Sequence, residues 1–335
     1  MLLPTSHQTA LLLLLLSLTC LGSWPNFLKL ADCRFELFYF DFTIGALALA
    51  AAAALTLGTF GSELSFNDRI AVAGLRSQAF VITGGFLFNI GNMLLVAAIS
   101  LVGMAVSVPM AVGVALIVAG ATNSQGANLL LTVGGTLFLL GSVVSAAVAA
   151  RKLNPGKSKS GRARANRATS GTALAVFGGV LIGGSSPLTE AGLWGDLGLG
   201  AYAGLLMFCF GLALSTAVFS LFFMNIGIEG GRVTFRTYLR GRASQHALGI
   251  SGGVVWALGT LAALLAQSVP SPVMPGSPAI TLFTQGAALV TLGWGLVAWR
   301  EFASSKKPSN ANRSVALTGA LFACGLLLTA YRTQH

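Results

Sequence analysis

Polar side chains inside apolar stretches are the residues of this chain best suited to chemistry. Asn89 and Asn92 are three residues apart, so a helix would place both carboxamides on one face. A carboxamide donates and accepts hydrogen bonds, which suits contact with a small, polar, uncharged solute. The same groups can also join neighbouring helices in a membrane. We therefore predict that Asn89 and Asn92 contact a solute, with interhelical hydrogen bonding as the alternative.

Three further residues extend this predicted binding site. Trp24 precedes Pro25, and proline weakens the hydrogen-bond ladder of a helix. A tryptophan ring at such a break could stack on a planar or sugar-like ligand, and the alternative is a tryptophan at the membrane interface. Thr284 and Gln285 lie within an apolar run, where a polar side chain is costly without a role. The predicted set of substrate-binding residues is Trp24, Asn89, Asn92, Thr284 and Gln285.

Two carboxylates are candidates for carrying protons. Asp41 is the acid that lies most clearly inside an apolar stretch. Desolvation favours the protonated form of a carboxylic acid, so Asp41 is predicted to couple transport to protons. A surface salt bridge to Lys29 or Arg34 is the alternative. Glu190 is the second candidate, at the outer end of its helix, where a solvated rim position is the alternative.

Residue patterns typical of enzymes and of metal or nucleotide sites are missing. The three histidines, His7, His246 and His335, lie near helix ends or the terminus and form no His-Glu-x-x-His pattern. The four cysteines lack metal-ligand spacing. Residues 156–158 are similar to the end of a phosphate-binding loop, but Arg151 occupies the position of its first glycine. We expect no enzymatic activity, no metal and no cofactor.

The elements that would hold these residues are membrane helices. The chain is 55% hydrophobic and 9% charged, with a mean hydropathy of +0.80. Apolar segments of about 20 residues can each cross a bilayer as a helix. The sequence therefore predicts an all-α membrane protein with ten transmembrane helices, near residues 8–30, 37–60, 79–99, 102–122, 128–150, 171–191, 198–224, 246–268, 278–299 and 313–331.

The second half of the chain repeats features of the first. Three glycine-containing segments recur in the same order, with 22–25 returning as 184–187, 84–92 as 252–260 and 135–141 as 319–325. Five helices per half is an odd number, so the second copy would cross the membrane in the opposite direction. We predict two inverted five-helix repeats at 1–150 and 171–335, joined by a basic linker at 151–170.

The basic residues indicate an orientation. If the ten helices alternate, 17 of the 20 Lys and Arg residues fall on one side of the membrane and 3 on the other. The positive-inside rule places the richer side, with the 151–170 linker, in the cytoplasm and both termini outside. The charge lies in short loops beside apolar helices, so we expect contact with membrane lipid and none with nucleic acid. A bacterial inner membrane is the predicted location.

Short motifs are spread along nearly the whole chain: Gly22-Ser23-Trp24-Pro25, Tyr39-Phe40-Asp41-Phe42, Gly91-Asn92, Phe235-Arg236-Thr237-Tyr238-Leu239 and Glu301. These motifs resemble those of the ureide permease family and its bacterial sugar-uptake relatives in the drug/metabolite transporter superfamily. This resemblance implies ten helices in two inverted halves. It also implies secondary transport of small polar solutes, often driven by protons. Plant members carry allantoin and pyrimidine-type ureides, and bacterial relatives carry sugars.

We therefore predict a secondary transporter that imports a small polar solute, either a sugar or a ureide- or nucleobase-like compound, with possible proton coupling. Export of a metabolite or drug is the first alternative, although a cation exporter would need a central carboxylate and more aromatic residues. A non-transporting structural subunit of a larger complex is the second alternative. The sequence assigns no oligomeric state.

Overall fold

The computed structural model describes residues 3–60, 64–122, 126–152, 161–195, 197–226, 231–269, 276–303 and 308–332. These residues form helices and no strands. Ten helical spans among them are long and apolar enough to cross a membrane, which confirms the predicted number. The chain is an all-α integral membrane protein.

The helices, in chain order, are α1 (His7–Ser23), α2 (Pro25–Ala31), α3 (Phe35–Leu55), α4 (Phe66–Val102), α5 (Met104–Thr122), α6 (Leu129–Lys152), α7 (Gly161–Leu193), α8 (Gly200–Ile226), α9 (Phe235–Leu239), α10 (Ala243–Gln267), α11 (Ser277–Gly293) and α12 (Pro308–Tyr331). A short π-helix, Trp294–Ala298, continues α11. Helices α1 and α2 together make the first membrane span, and α9 is a short helix between two spans.

The first span is interrupted at Trp24. Helix α1 ends at Ser23 and α2 begins at Pro25, whose nitrogen carries no hydrogen to continue the ladder. The Asn26 side chain donates a 2.8 Å hydrogen bond to the Ser23 carbonyl beside this break. Pro187 in the second half lies inside α7, which runs without a division. The two prolines matched by the repeat therefore have different local effects.

Two helices begin well before their predicted limits, α4 at Phe66 and α7 at Gly161. Helix α4 begins at Phe66 rather than near residue 79, and Gly74, with φ of 66°, separates its first turns from the rest. Helix α7 begins at Gly161, because the Arg- and Ala-rich end of the predicted linker favours helix. Linker residues 153–160, with the 156–158 motif, lie outside the described residues.

The chain divides into two compact units. The first unit contains Met1–Ile90 and Ser185–Thr284, and the second contains Gly91–Gly184 and Gln285–His335. Each unit draws segments from both halves of the sequence. The predicted halves at 1–150 and 171–335 describe a sequence repeat rather than these units, and their inverted relation stays a prediction.

Small residues let helices approach closely within the first unit. A Cβ atom added to Gly45 would overlap the Ile250 carbonyl oxygen, and one added to Gly253 would overlap that of Phe42. Helices α3 and α10 therefore cross with their backbones in contact. Such small-residue contacts are a common way to pack helices in lipid, where no hydrophobic force draws them together.

Side-chain-to-backbone hydrogen bonds tie α6 to α12 in the second unit. Ser142 Oγ donates to the Thr318 carbonyl and Ser145 Oγ to the Ser314 carbonyl, each at 3.0 Å. Gly325 packs against Leu139 at the same crossing, with no room for a Cβ atom. The two helices are thus fixed in their relative positions along much of their length.

Candidate functional site

Five polar side chains from three helices form a buried hydrogen-bond network in the first unit. Tyr39 Oη donates to Asn89 Oδ1 at 2.9 Å. Asn89 Nδ2 donates to Thr216 Oγ1 at 2.9 Å and to Ser215 Oγ. The hydroxyls of Thr43 and Thr216 lie 3.0 Å apart. We call this set the polar network.

Helix geometry explains why these residues meet. Tyr39 and Thr43 are four residues apart on α3 and so share one face. Asn89 lies on α4, while Ser215 and Thr216 lie on α8. Buried polar groups need partners, and each of these groups has one. Side chains therefore occupy the amide of Asn89 in this conformation, which matches the alternative of interhelical hydrogen bonding.

Aromatic rings lie against the polar network. Trp24 and Phe42 have ring centroids 5.1 Å apart, and Phe42 lies 5.8 Å from Trp256. Trp256 in turn lies 5.6 Å from Phe88 and 6.4 Å from Phe208. Trp24 is only 5% exposed, so its ring is enclosed by protein rather than placed at an exposed interface. We call these five rings the aromatic cluster.

Tyr39 connects the two sets. Its ring centroid lies 5.2 Å from that of Phe42, while its hydroxyl belongs to the polar network. Ring faces beside hydroxyl and amide groups are the combination that binds planar or sugar-like polar solutes. Tyr39, Phe42 and Asn89 are each 0% exposed. A solute would therefore reach this site only after side chains or helices move.

The predicted binding residues are divided between the two units. Trp24 and Asn89 belong to the first unit and are joined through Phe42 and Tyr39. Asn92 is 2% exposed and belongs to the second unit, as does the half-buried Gln285. Thr284, in the first unit, donates its hydroxyl to the Ile280 carbonyl of its own helix at 2.8 Å. The five-residue site stays a prediction.

Asp41 has two partners that the sequence did not suggest. Tyr238 Oη donates to Oδ1 at 2.7 Å, and His246 Nδ1 lies 2.8 Å from Oδ2. The carboxylate is 5% exposed, and Gly249 leaves the space it fills. Arg34, considered as a partner of Asp41, instead pairs with Glu36 at 2.7 Å. We call Asp41, Tyr238 and His246 the carboxylate cluster.

Aromatic contacts hold α9 over this cluster. Phe235 and Tyr238 of α9 lie 5.7 Å and 5.3 Å from Phe40, and the Tyr238 and His246 rings meet edge to face at 4.9 Å. Burial raises the pKa of Tyr238 most strongly, and its hydrogen bond to Asp41 and the negative charge of Asp41 raise that pKa further. The Tyr238 hydroxyl therefore stays protonated and remains a donor to Asp41.

The other acidic candidates occupy different surroundings. Glu190 is exposed on α7, as in the alternative of a rim position. Glu301 accepts hydrogen bonds from the backbone amides of Met104 and Ala105, both at 2.9 Å. It thereby caps the start of α5 from another segment, where a carboxylate also complements the helix dipole. Gly103, with φ of 84°, gives the turn that admits this side chain.

Sequence patterns gave weak signals for the residues that complete these sites. Ser215 and Thr216 are an adjacent polar pair in an apolar helix, a signal of the kind that drew attention to Asn89. His246 had only its position near a helix start, 205 residues from Asp41. No group of three or more His, Cys, Asp or Glu side chains in the described part of the chain could hold a metal ion.

Comparisons with known proteins give similarity over part of the sequence. No family model matches the chain. Ureide permease 1 of Arabidopsis thaliana is 30% identical over 122 residues, which cover 35% of this chain and 31% of the permease. Ureide permease 2 of the same plant is 30% identical over 130 residues, covering 37% and 33%. The similar region thus spans about a third of the length of these relatives.

A likeness in fold covers almost the whole chain. One protein crystal structure aligns with 97% of this chain and 99% of its own, with a TM-score of 0.55 and 17% sequence identity. At that identity the likeness shows a shared fold and nothing about activity. The chain is therefore similar in sequence to plant ureide permeases over about a third of its length, and it shares the fold of a solved structure along nearly all of it.

Proposed function

We propose that this protein is a secondary transporter that imports a small polar solute, either a sugar or a ureide- or nucleobase-like compound. The observation that carries the proposal is the contact between the polar network and the aromatic cluster inside apolar helices. Polar groups are expensive in a membrane and are kept there for function or for helix association. The partial similarity to ureide permeases supports function.

The proposed site works through rings and displaceable hydrogen bonds. Trp24 and Trp256 supply ring faces for a planar or sugar-like solute. Asn89 orients the Tyr39 hydroxyl and exchanges its bonds to Ser215 and Thr216 for bonds to the solute when the site opens. Because both states then satisfy the amide, opening avoids the cost of a buried polar group without partners. Asn92, Thr284 and Gln285 are proposed as further contacts.

Proton coupling is proposed for Asp41. When it is ionised, the carboxylate accepts from Tyr238 Oη and contacts His246 Nδ1, which holds α9 and α10 against α3. Protonation of Asp41 removes the negative charge, weakens both contacts and frees α9 to move. Glu190, exposed on α7, is the proposed second proton site.

The proposed orientation follows the basic residues, with both termini outside and residues 151–170 in the cytoplasm of a bacterial cell. A cysteine replacing Ser160, on a background without the native cysteines, should resist a membrane-impermeant thiol reagent in intact cells. It should react once the membrane is permeabilised. Rapid labelling in intact cells would reverse the orientation.

A structural, non-transporting protein is the second candidate. The saturated hydrogen bonds of Asn89 favour it, because a network of this kind can simply hold helices together. Export of a metabolite is the alternative within transport. An inward, solute-specific flux would separate the proposal from both.

The test is uptake into proteoliposomes that contain the purified protein. Candidate solutes are first screened by thermal shift with sugars, purines, ureides and amino acids, because a bound solute stabilises the folded state by mass action. A stabilising solute should then enter protein-containing vesicles faster than empty ones, and Asn92→Ala should slow that entry without changing the unfolding temperature. No stabilisation and no flux with any solute class would favour the structural candidate.

A further inference from the structure

The net charge of the protein is confined to one of its two units. By sequence, the first unit contains eight basic and eight acidic residues and is neutral, whereas the second contains twelve basic residues and one acid. The second unit therefore carries the whole net charge of +11. Its single acid, Glu301, is occupied by the start of α5.

Eleven of the twelve basic residues lie in two segments, 151–167 and 300–313. The described ends of these segments meet where α6 ends and α12 begins. Lys152 Nζ, at the end of α6, donates to Ser314 Oγ on α12 at 2.6 Å and lies 3.5 Å from the Asn310 carbonyl. Two further hydrogen bonds join α6 to α12 beside this junction, from Ser142 and Ser145.

An open cavity of about 290 Å³ lies at this junction, lined by Lys152, Asn310, Arg313, Ser314 and Leu317. The Lys152 ammonium has three donors, of which these two contacts use two. Arg313 is exposed and makes no hydrogen bond or ion pair among the described residues. The cavity therefore presents one ammonium donor, a free guanidinium and the Asn310 amide, which together suit a phosphate group.

Apolar residues continue from the cavity along both helices. Val144 and Val148 precede Lys152 at steps of four residues, on its face of α6, and Val144 is 63% exposed. Leu317 follows Arg313 by one turn, on the opposite helix, and is 53% exposed. Basic groups at the helix ends with apolar side chains directly beneath them match the layering of a phospholipid.

We propose that this cavity binds the phosphate headgroup of an anionic phospholipid. The phosphate lies between Lys152 and Arg313, the Asn310 amide donates to a headgroup oxygen, and an acyl chain follows Leu317 and Val148. The exposed apolar side chains beside the cavity belong to membrane spans, so the cavity opens beside lipid, which favours a lipid headgroup over free phosphate. The site orients the second unit on the anionic leaflet and does not depend on solute transport.

The experiment measures phosphatidylglycerol bound to the detergent-solubilised, full-length protein by native mass spectrometry, with phosphatidylcholine as the neutral comparison. In detergent there is no charged membrane surface, so only residues of a defined site should matter. Arg313→Gln and Lys152→Gln should each weaken phosphatidylglycerol binding about fivefold, following the contribution typical of one basic residue near an anionic lipid. Arg313→Lys should keep most of the affinity.

Arg151→Gln is the matched control, because Arg151 is the exposed neighbour of Lys152 and does not line the cavity. It should change binding less than twofold, on the order of the scatter in such measurements. An equal loss in Arg151→Gln would mean diffuse attraction and would overturn the site. Equal binding of phosphatidylcholine would overturn it as well. Competition by inorganic phosphate at matched concentration would assign the cavity to free phosphate instead of lipid.

Discussion

The two units differ in the main polar contacts between their helices. In the first unit, the polar network and the carboxylate cluster consist of contacts between side chains, as in Tyr39 with Asn89 and Asp41 with Tyr238. In the second, the serines of α6 and the carboxylate of Glu301 bond to backbone groups, as in Ser142 with the Thr318 carbonyl and Glu301 with the Met104 amide. A bond between two side chains can be exchanged by rotation of either one, whereas a backbone group moves only with its helix. The first unit thus has the interactions suited to rearrangement and the second those suited to support.

The two units also differ in their charge. The neutral first unit has buried acids with side-chain nitrogen partners: Glu36 pairs with Arg34, and Asp41 contacts the His246 ring. In the second unit, eleven of the twelve basic residues lie in the sequence segments 151–167 and 300–313. A buried pair can change its protonation and geometry, while surface charge acts through its attraction to other charges. Changes to the first unit should therefore alter solute movement more than equivalent changes to the second.

The largest expected effect is on the close crossing that holds the first unit together. Gly253→Ala should destabilise the protein by about 3 kcal/mol or more, because the new methyl group overlaps the Phe42 carbonyl and neither backbone can yield cheaply. Gly293→Ala, at a helical glycine with open space around its Cβ position, should change stability by less than about 1 kcal/mol. Thermal unfolding of both variants measures the difference, and equal stabilities would show that α3 and α10 can separate freely.

The next effect concerns the acids of the two units. Asp41→Asn should lower accumulation driven by a proton gradient more than about tenfold, which corresponds to about 1.4 kcal/mol, while solute exchange across the membrane continues. Glu301→Gln should leave coupling intact and reduce stability by about 1 kcal/mol through the weakened cap of α5. Uptake into proteoliposomes with and without an imposed gradient gives both values. If the unaltered protein accumulates solute equally with and without the gradient, Asp41 has only a structural role.

Two buried serines of α8 test the polar network itself. Ser215→Ala removes a bond from Asn89 and should lower uptake several-fold, in line with about 1 kcal/mol for a hydrogen bond. Ser220→Ala is the matched control, since Ser220 is equally buried and its hydroxyl has no partner among the described residues. It should leave uptake unchanged. If both serines behave alike, the network acts only in helix packing.

The smallest expected effect concerns the hydrogen bond between Tyr238 of α9 and Asp41. Tyr238→Phe keeps the ring but removes the bond to Asp41, which should reduce stability by about 1 kcal/mol at neutral pH. The raised pKa of Tyr238 means that the folded state holds this proton more tightly than the unfolded state. Its contribution is therefore complete below the ordinary tyrosine value of 10.0 and declines only as the pH rises above it. Unfolding curves at neutral and strongly alkaline pH should show the difference between variant and parent shrinking.

Sequence alone determined the number of membrane spans and the position of the first break. Both depend on local properties: the length of an apolar segment for the spans, and the missing amide hydrogen of Pro25 for the break. It also drew attention to Asn89 and Asp41, because a polar group in an apolar helix stands out whatever it contacts. The start of α4 escaped prediction because the predicted span followed the apolar run near 79–99, whereas a separate helical segment from Phe66 precedes the non-helical Gly74.

Only the tertiary structure decided which groups meet. Asn89 lies 126 residues from Ser215, Asp41 lies 205 residues from His246, and Glu301 lies 197 residues from Met104. These pairings depend on the rotation and relative height of packed helices, which glycine contacts such as that of Gly253 with Phe42 fix. The same packing assigned Asn89 and Asn92, three residues apart on one helix, to different units. Local sequence specifies a helix and its polar face, but it does not specify which helix that face will contact.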